Sequence, residues 1–207
     1  MNEIKNLGVI IDQHLSFETH TTKLCSAAYA KLKLLHQYKQ FLTPAVKYRL
    51  AETYVLSGFN HALPVYYSHL TNEFKYRIQK VQNSCVRYAY WAKKRDHISP
   101  ILNKHHHLNM SSKFILSFTT FCYKIIKCKE PVYLSEKISM RSDEHEINIR
   151  SSNTLTVPMH NTQKLEKSFS YLCPKMCNQY VQITNVSVSA FHKNMQKDLT
   201  VRQCNPV

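Results

Sequence analysis

Between Phe74 and Tyr88 the residues Phe74, Ile78, Val81, Cys85 and Tyr88 recur at steps of four and three, one face of an α-helix. The pattern returns in several other segments, and the chain holds only two glycines, Gly8 and Gly58. Folds that need many tight turns or glycine-rich phosphate loops are therefore disfavoured, and a mainly α protein is expected. With 207 residues, 43% of them hydrophobic, the chain has enough apolar side chains for a core.

The same helix, expected over Thr71–Arg95, carries a second stripe of Arg77, Lys80, Arg87, Trp91 and Lys94. Lys75, Lys93 and Arg95 add to it, and only Glu73 opposes it. The whole chain has 28 Lys and Arg against 13 Asp and Glu, a net charge of +15. Such an excess suits a polyanionic partner, RNA or DNA first of all. Arg77, Lys80, Arg87, Trp91, Lys94 and Arg95 are the candidate nucleic-acid-binding residues. The cations at helical spacing would contact phosphates, which confers affinity without sequence choice. Trp91 or Tyr88 would stack on a base or sugar, unless Trp91 belongs to the core.

Elsewhere, Leu7–Ile11 reads as a short buried strand closed by Asp12, with no partner nearby, as if a sheet had been cut away. Helices are expected over Thr22–Phe41, with an apolar side of Leu24, Ala28, Leu32, Leu35, Tyr38 and Leu42, and over Pro44–Leu56. Thr43 and Pro44 would start the second and Gly58 stop it. Another helix, capped by Ser111 or Ser112, presents Phe114, Ile115, Phe118, Phe121, Cys122 and Ile125. Residues 129–165 are mostly polar and read as a linker with a short strand at Leu155–Val157. Helices over Phe169–Tyr180 and Val188–Leu199, the latter capped by Ser187, follow. The seven cysteines, the opening Met1-Asn2-Glu3-Ile4-Lys5 and the lack of a long apolar run lead us to expect reduced thiols, no membrane span and a cytoplasmic or nuclear location.

Several words of the sequence resemble one family. Ile78-Gln79-Lys80-Val81-Gln82-Asn83-Ser84-Cys85-Val86-Arg87, then Arg95-Asp96-His97-Ile98-Ser99-Pro100, is similar to the "IQ-x-x-QN-x-x-VR" and "R-DHI-x-P" found downstream of the polymerase core in reverse transcriptases of jockey-like non-LTR retrotransposons. Leu7-Gly8-Val9-Ile10-Ile11-Asp12 with Leu15-Ser16-Phe17 and His20 resembles the family's strand leading from palm to thumb. Leu63-Pro64-Val65-Tyr66 resembles its "LPVYG" turn, with Tyr67 in place of glycine. Leu108-Asn109-Met110, Arg150-Ser151-Ser152-Asn153 through Val157-Pro158, Lys167-Ser168-Phe169-Ser170-Tyr171, and Ser187, Phe191, Lys193 and Leu199 extend the likeness along the chain. The resemblance implies a helical thumb-like bundle with one short N-terminal strand and a small helical C-terminal region. It divides the chain into a last palm-like strand and connector (1–21), a thumb-like region (22–128), a linker (129–165) and a C-terminal helical region (166–207).

The sequence departs from the family where glycine and tryptophan would stand, at Cys173 and Cys177, and where Leu-Pro would stand, at Tyr180-Val181. Loss of a buried tryptophan costs on the order of 3–5 kcal/mol. The family's polymerase needs an adjacent aspartate pair and a further aspartate to hold two Mg²⁺ ions. Here aspartate occurs only at 12, 96, 143 and 198, and the palm would lie before Met1. The expectation is a catalytically inactive fragment without cofactor. The alternatives are a host-recruited helical protein-interaction module and a relic open reading frame that is untranslated or unstable. A zinc site from Cys173-x-x-x-Cys177 with Cys122, Cys128 or His105-His106-His107 is disfavoured, because no C-x₂-C spacing is present. The histidine run is expected on a solvated loop.

Overall fold

The computed structural model describes residues 3–144, 154–180 and 186–204. It is mainly helical, with a two-stranded antiparallel sheet at the N-terminus. The chain divides into two compact units, Met1–Phe114 with Thr200–Val207, and Ile115–Leu199.

The first unit opens with a hairpin. β1 (Glu3–Asn6) pairs with β2 (Val9–Asp12) in the register Glu3 to Asp12 and Asn6 to Val9. Leu7 and Gly8 form the two-residue turn with φ of 45° and 87°; positive φ at both positions matches the twist of a tight hairpin. The strand expected to stand alone therefore has a partner in the residues just before it, and it starts two residues later than its apolar run. It is also less buried than expected, since only Val9 is fully covered. Asp12 organises the exit from the hairpin. Its carboxylate accepts the backbone N–H groups of Phe17 (2.8 Å), Ser16 (3.1 Å) and His14 (3.2 Å). Burial opposes its charge, but the Phe17 and Ser16 donors outweigh that effect and hold the carboxyl below its ordinary value.

Helix α1 (Glu18–His36) follows, entered through Phe17 in the left-handed region. It starts earlier and ends earlier than the apolar spacing suggested; Tyr38 lies beyond it, exposed. Pro44 opens α2 (Pro44–Leu50), as expected, with Thr43 extended before it. The helical path then runs through a π-helical stretch at Ala51–Leu56 into α3 (Ser57–Asn60). Gly58 thus lies inside α3 and does not stop the helix. Then come α4 (Leu63–Tyr66), α5 (Asn72–Tyr90), α6 (Ser99–Lys104) and the first turn of α7 (Met110–Cys128). All five expected apolar residues of α5, Phe74, Ile78, Val81, Cys85 and Tyr88, are buried. A neighbouring cluster joins Tyr48, Val86, Ala89, Ile98 and Leu102. Asn109, rather than either serine, caps α7: its Oδ1 accepts the Ser112 N–H at 2.7 Å.

The second unit holds the rest of α7, α8 (Val132–Ser135), α9 (Arg141–Glu144), α10 (Gln163–Glu166), α11 (Phe169–Tyr180) and most of α12 (Val188–Cys204). Ser187 caps α12, accepting the Ala190 N–H at 3.2 Å. Among the described residues, the stretch read as a linker is anchored at Leu155 and at His160, whose ring centre lies 4.3 Å from that of Tyr171. In place of a strand there is a single bridge between Met140 and Leu155, and Leu155 is fully buried. Asn178 grips both backbone groups of Leu155, at 2.9 and 2.8 Å. The family-like residues Arg150–Asn153, and Val181, lie outside the described residues.

Candidate nucleic-acid interface

One turn apart along α5, Lys75, Gln79, Asn83 and Arg87 form a ladder at i, i+4 spacing. They make one wall of a cleft of about 790 Å³ within the first unit. Tyr67, Tyr76, Asn103, Asn109, Ser111 and Gln203 complete much of its lining. The ladder has a cation at each end and amides between, and Asp96 lines the cleft beside Arg87. Twelve residues of helix separate Lys75 from Arg87, a rise of about 18 Å, comparable to about five base steps of one strand.

The amides are held in place by a network. The Gln79 Nε2 group donates to Gln82 Oε1 (2.8 Å) and Asn83 Oδ1 (2.9 Å), while Gln79 Oε1 accepts the Met110 N–H (3.0 Å). Gln82, fully buried behind the wall, donates to the Leu108 carbonyl at 2.7 Å. Across the cleft the Gln203 side chain donates to Asn103 Oδ1 and the His107 carbonyl, each at 3.0 Å, and accepts the Asn109 N–H at 3.0 Å. Apolar spacing in the sequence does not show this network. Its only local signal is the step of four linking Lys75, Gln79, Asn83 and Arg87, and Gln203 carries no local signal at all.

Of the six candidate residues, Arg87 alone lines the cleft. Its guanidinium donates to the carbonyls of Lys93 and Asp96, both at 3.3 Å, and so fastens the loop after α5. Arg77 and Lys80 lie on an adjoining stripe of α5. Arg77 is paired with Glu73 at 2.6 Å, and Lys80 Nζ sits 4.4 Å from the centre of the Tyr76 ring. The helix does not reach Arg95. It stops at Tyr90 because Trp91 takes φ 57°, and Asp96 then accepts the Lys93 N–H at 2.6 Å, closing the loop. Lys94 and Arg95 are exposed on that loop and are not part of a helical stripe.

Trp91 is not a core residue: it is 54% exposed. The ammonium groups of Lys39 and Lys47 lie 4.1 and 4.0 Å from its ring centre. Lys47 is only 1% exposed, but part of its cover is this half-exposed indole, so the cover is shallow. Its ammonium is pushed below its ordinary pKa by burial and then by Lys39. Tyr88, the other stacking candidate, is buried against His36 and offers no face to a ligand. The histidine run is only partly solvated. His105 stacks on Tyr90 at 4.0 Å and His107 on Tyr48 at 3.6 Å.

No protein-family model, curated protein or solved structure matches the chain. Among the described residues, no helix is long and apolar enough to cross a membrane.

Proposed function

We propose that this chain is a nucleic-acid-binding helical module, the thumb-like portion of a reverse transcriptase of the jockey-like non-LTR kind, without polymerase activity of its own. The observation that carries the binding reading is the α5 cleft, with Lys75 and Arg87 at the two ends of its ladder and amides held in a fixed network between them; Asp96, at the Arg87 end, has its carboxylate turned to the Lys93 N–H. A strand lying along α5 would set phosphates against Lys75 and Arg87 and bases or sugars against Gln79 and Asn83. The family assignment rests on the sequence words alone. Catalysis is left out because no two aspartates are adjacent, and the carboxylates of Asp12 and Asp96 are engaged by backbone N–H groups of their own loops.

The test is a titration of the full chain with a single-stranded RNA, repeated over a range of salt. Affinity is expected to fall linearly on a log–log plot, and Lys75→Ala to lower the slope by about one. Lys75→Ala is chosen because Arg87 secures the loop after α5, whereas the Lys75 ammonium lies 5.7 Å from the Tyr67 ring centre in the cleft lining. Affinity indifferent to salt, or a slope unchanged in Lys75→Ala, overturns the cleft reading. A nuclease-resistant complex with one defined protein would favour the interaction-module alternative instead.

A further inference from the structure

Three cysteines that the sequence keeps apart meet inside the second unit. Cys173 and Cys177 stand one turn apart on α11, and Cys122 faces them from α7. Their sulfurs all lie within 4.8 Å of one another. Cys122 and Cys173 have no exposure and Cys177 has 1%. The other groups weighed with them, Cys128 and the histidine run, do not join the cluster. All three thiols are free.

We propose that Cys122, Cys173 and Cys177 form a three-sulfur binding site for a soft, thiophilic metal ion, Cu(I). A metal–sulfur bond of about 2.3 Å sets three trigonal sulfurs about 4.0 Å apart. The present spacing is thus within a small side-chain adjustment of a trigonal site. Among the described residues the group has three members and no fourth histidine, cysteine or carboxylate. Soft thiolate sets select Cu(I), zinc and iron–sulfur clusters, but structural zinc and the common clusters take four ligands, so a set of three suits Cu(I). The near-complete burial leaves little room for water as a fourth ligand. The site is independent of the cleft reading, since all its residues lie in the second unit.

The test uses the full reduced chain, kept anaerobic, with the exposed thiols removed by Cys128→Ser and Cys204→Ser. Cu(I) is offered from a competing chelator. One ion per chain is expected, with X-ray absorption showing three sulfurs at about 2.3 Å. Cys177→Ala should weaken binding at least tenfold. Should that variant fail to fold, thiol alkylation of the unmutated chain under mild denaturation supplies the second readout: copper should protect Cys122, Cys173 and Cys177 and leave Cys25 and Cys85 unprotected. No binding, undiminished binding in folded Cys177→Ala, nitrogen or oxygen in the metal's shell, or protection of Cys25 or Cys85 instead would each overturn the proposal. Tighter capture of Zn(II) than of Cu(I) would overturn the choice of metal.

Discussion

His107 shows how single residues set the behaviour of this fold. Its ring stacks on Tyr48 at 3.6 Å, and its Nε2 lies 2.7 Å from the Tyr90 hydroxyl. Burial is the main reason that its pKa is pushed down to about 4; His105, Lys113 and His106 add to the effect and Glu52 opposes it. The folded state therefore keeps His107 neutral while the unfolded chain protonates near 6.5. A depressed histidine contributes stability that is present above the unfolded pKa. That stability is lost as pH falls from about 6.5 to about 4, because the unfolded state binds the proton there and the native state does not. Because the ring is only partly buried, the loss is discounted to about 1–2 kcal/mol. His20 and His36 are also lowered by burial and add loss of the same sign. Urea unfolding at a series of pH values should show His107→Phe losing less stability than the parent over that window. An identical pH slope in the two proteins would refute the assignment. Residues also decide where elements end. Leu7, Leu15, Phe17, Ala62, Trp91, His106 and Lys129 all take positive φ without being glycine. The sequence offers no glycine at Phe17 or Trp91, so the start of α1 and the stop of α5 were hard to read, whereas the start of α5 after Thr71 was legible.

At the scale of an element, the apolar face of α5 was the most legible part of the chain, and the polar side of the same helix was not. Its apolar face follows from hydrophobic periodicity, and burial bears this out from Phe74 to Tyr88. Its polar side is harder to read, because the same amide can be solvated or structural. Gln82 is structural: wholly buried, it accepts from Gln79 and donates to the Leu108 carbonyl at 2.7 Å. Truncation would leave that carbonyl without its donor and open a cavity. Gln82→Ala should cost about 2–4 kcal/mol. The exposed Lys80, one of the residues singled out by charge, should tolerate alanine within about 0.5 kcal/mol. Denaturant midpoints of the two variants make the comparison. Equal stabilities would mean that the Gln79–Gln82 network does not hold the cleft wall. Charge at helical spacing pointed to the helix that forms one wall of the cleft. The cleft residues Gln79, Asn83 and Gln203 depend on a network that spans more than a hundred positions, beyond the reach of local pattern.

For the whole molecule the governing quantity is the net charge of +15. Ion pairs join Arg77 to Glu73, Lys113 to Glu52 and Lys175 to Glu166, but 13 acidic residues cannot balance 28 lysines and arginines however they pair. Lys39 and Lys47 even share one indole ring. Such a surplus favours association with polyanions and disfavours the compact state through self-repulsion. The two effects respond to salt with opposite signs. Screening shortens the reach of the repulsion from about 10 Å at 0.1 M to about 3 Å at 1 M, so added sodium chloride should raise the thermal midpoint of the free protein. The same addition should weaken RNA binding through counterion competition. Measured on one preparation, the thermal midpoint should climb while affinity falls. A midpoint that drops with salt would mean that attractive pairs outweigh repulsion, and that the charge is balanced locally in a way the three pairs do not reveal. A midpoint that rises without any loss of affinity would leave the charge a burden on the fold with no polyanionic partner to account for it.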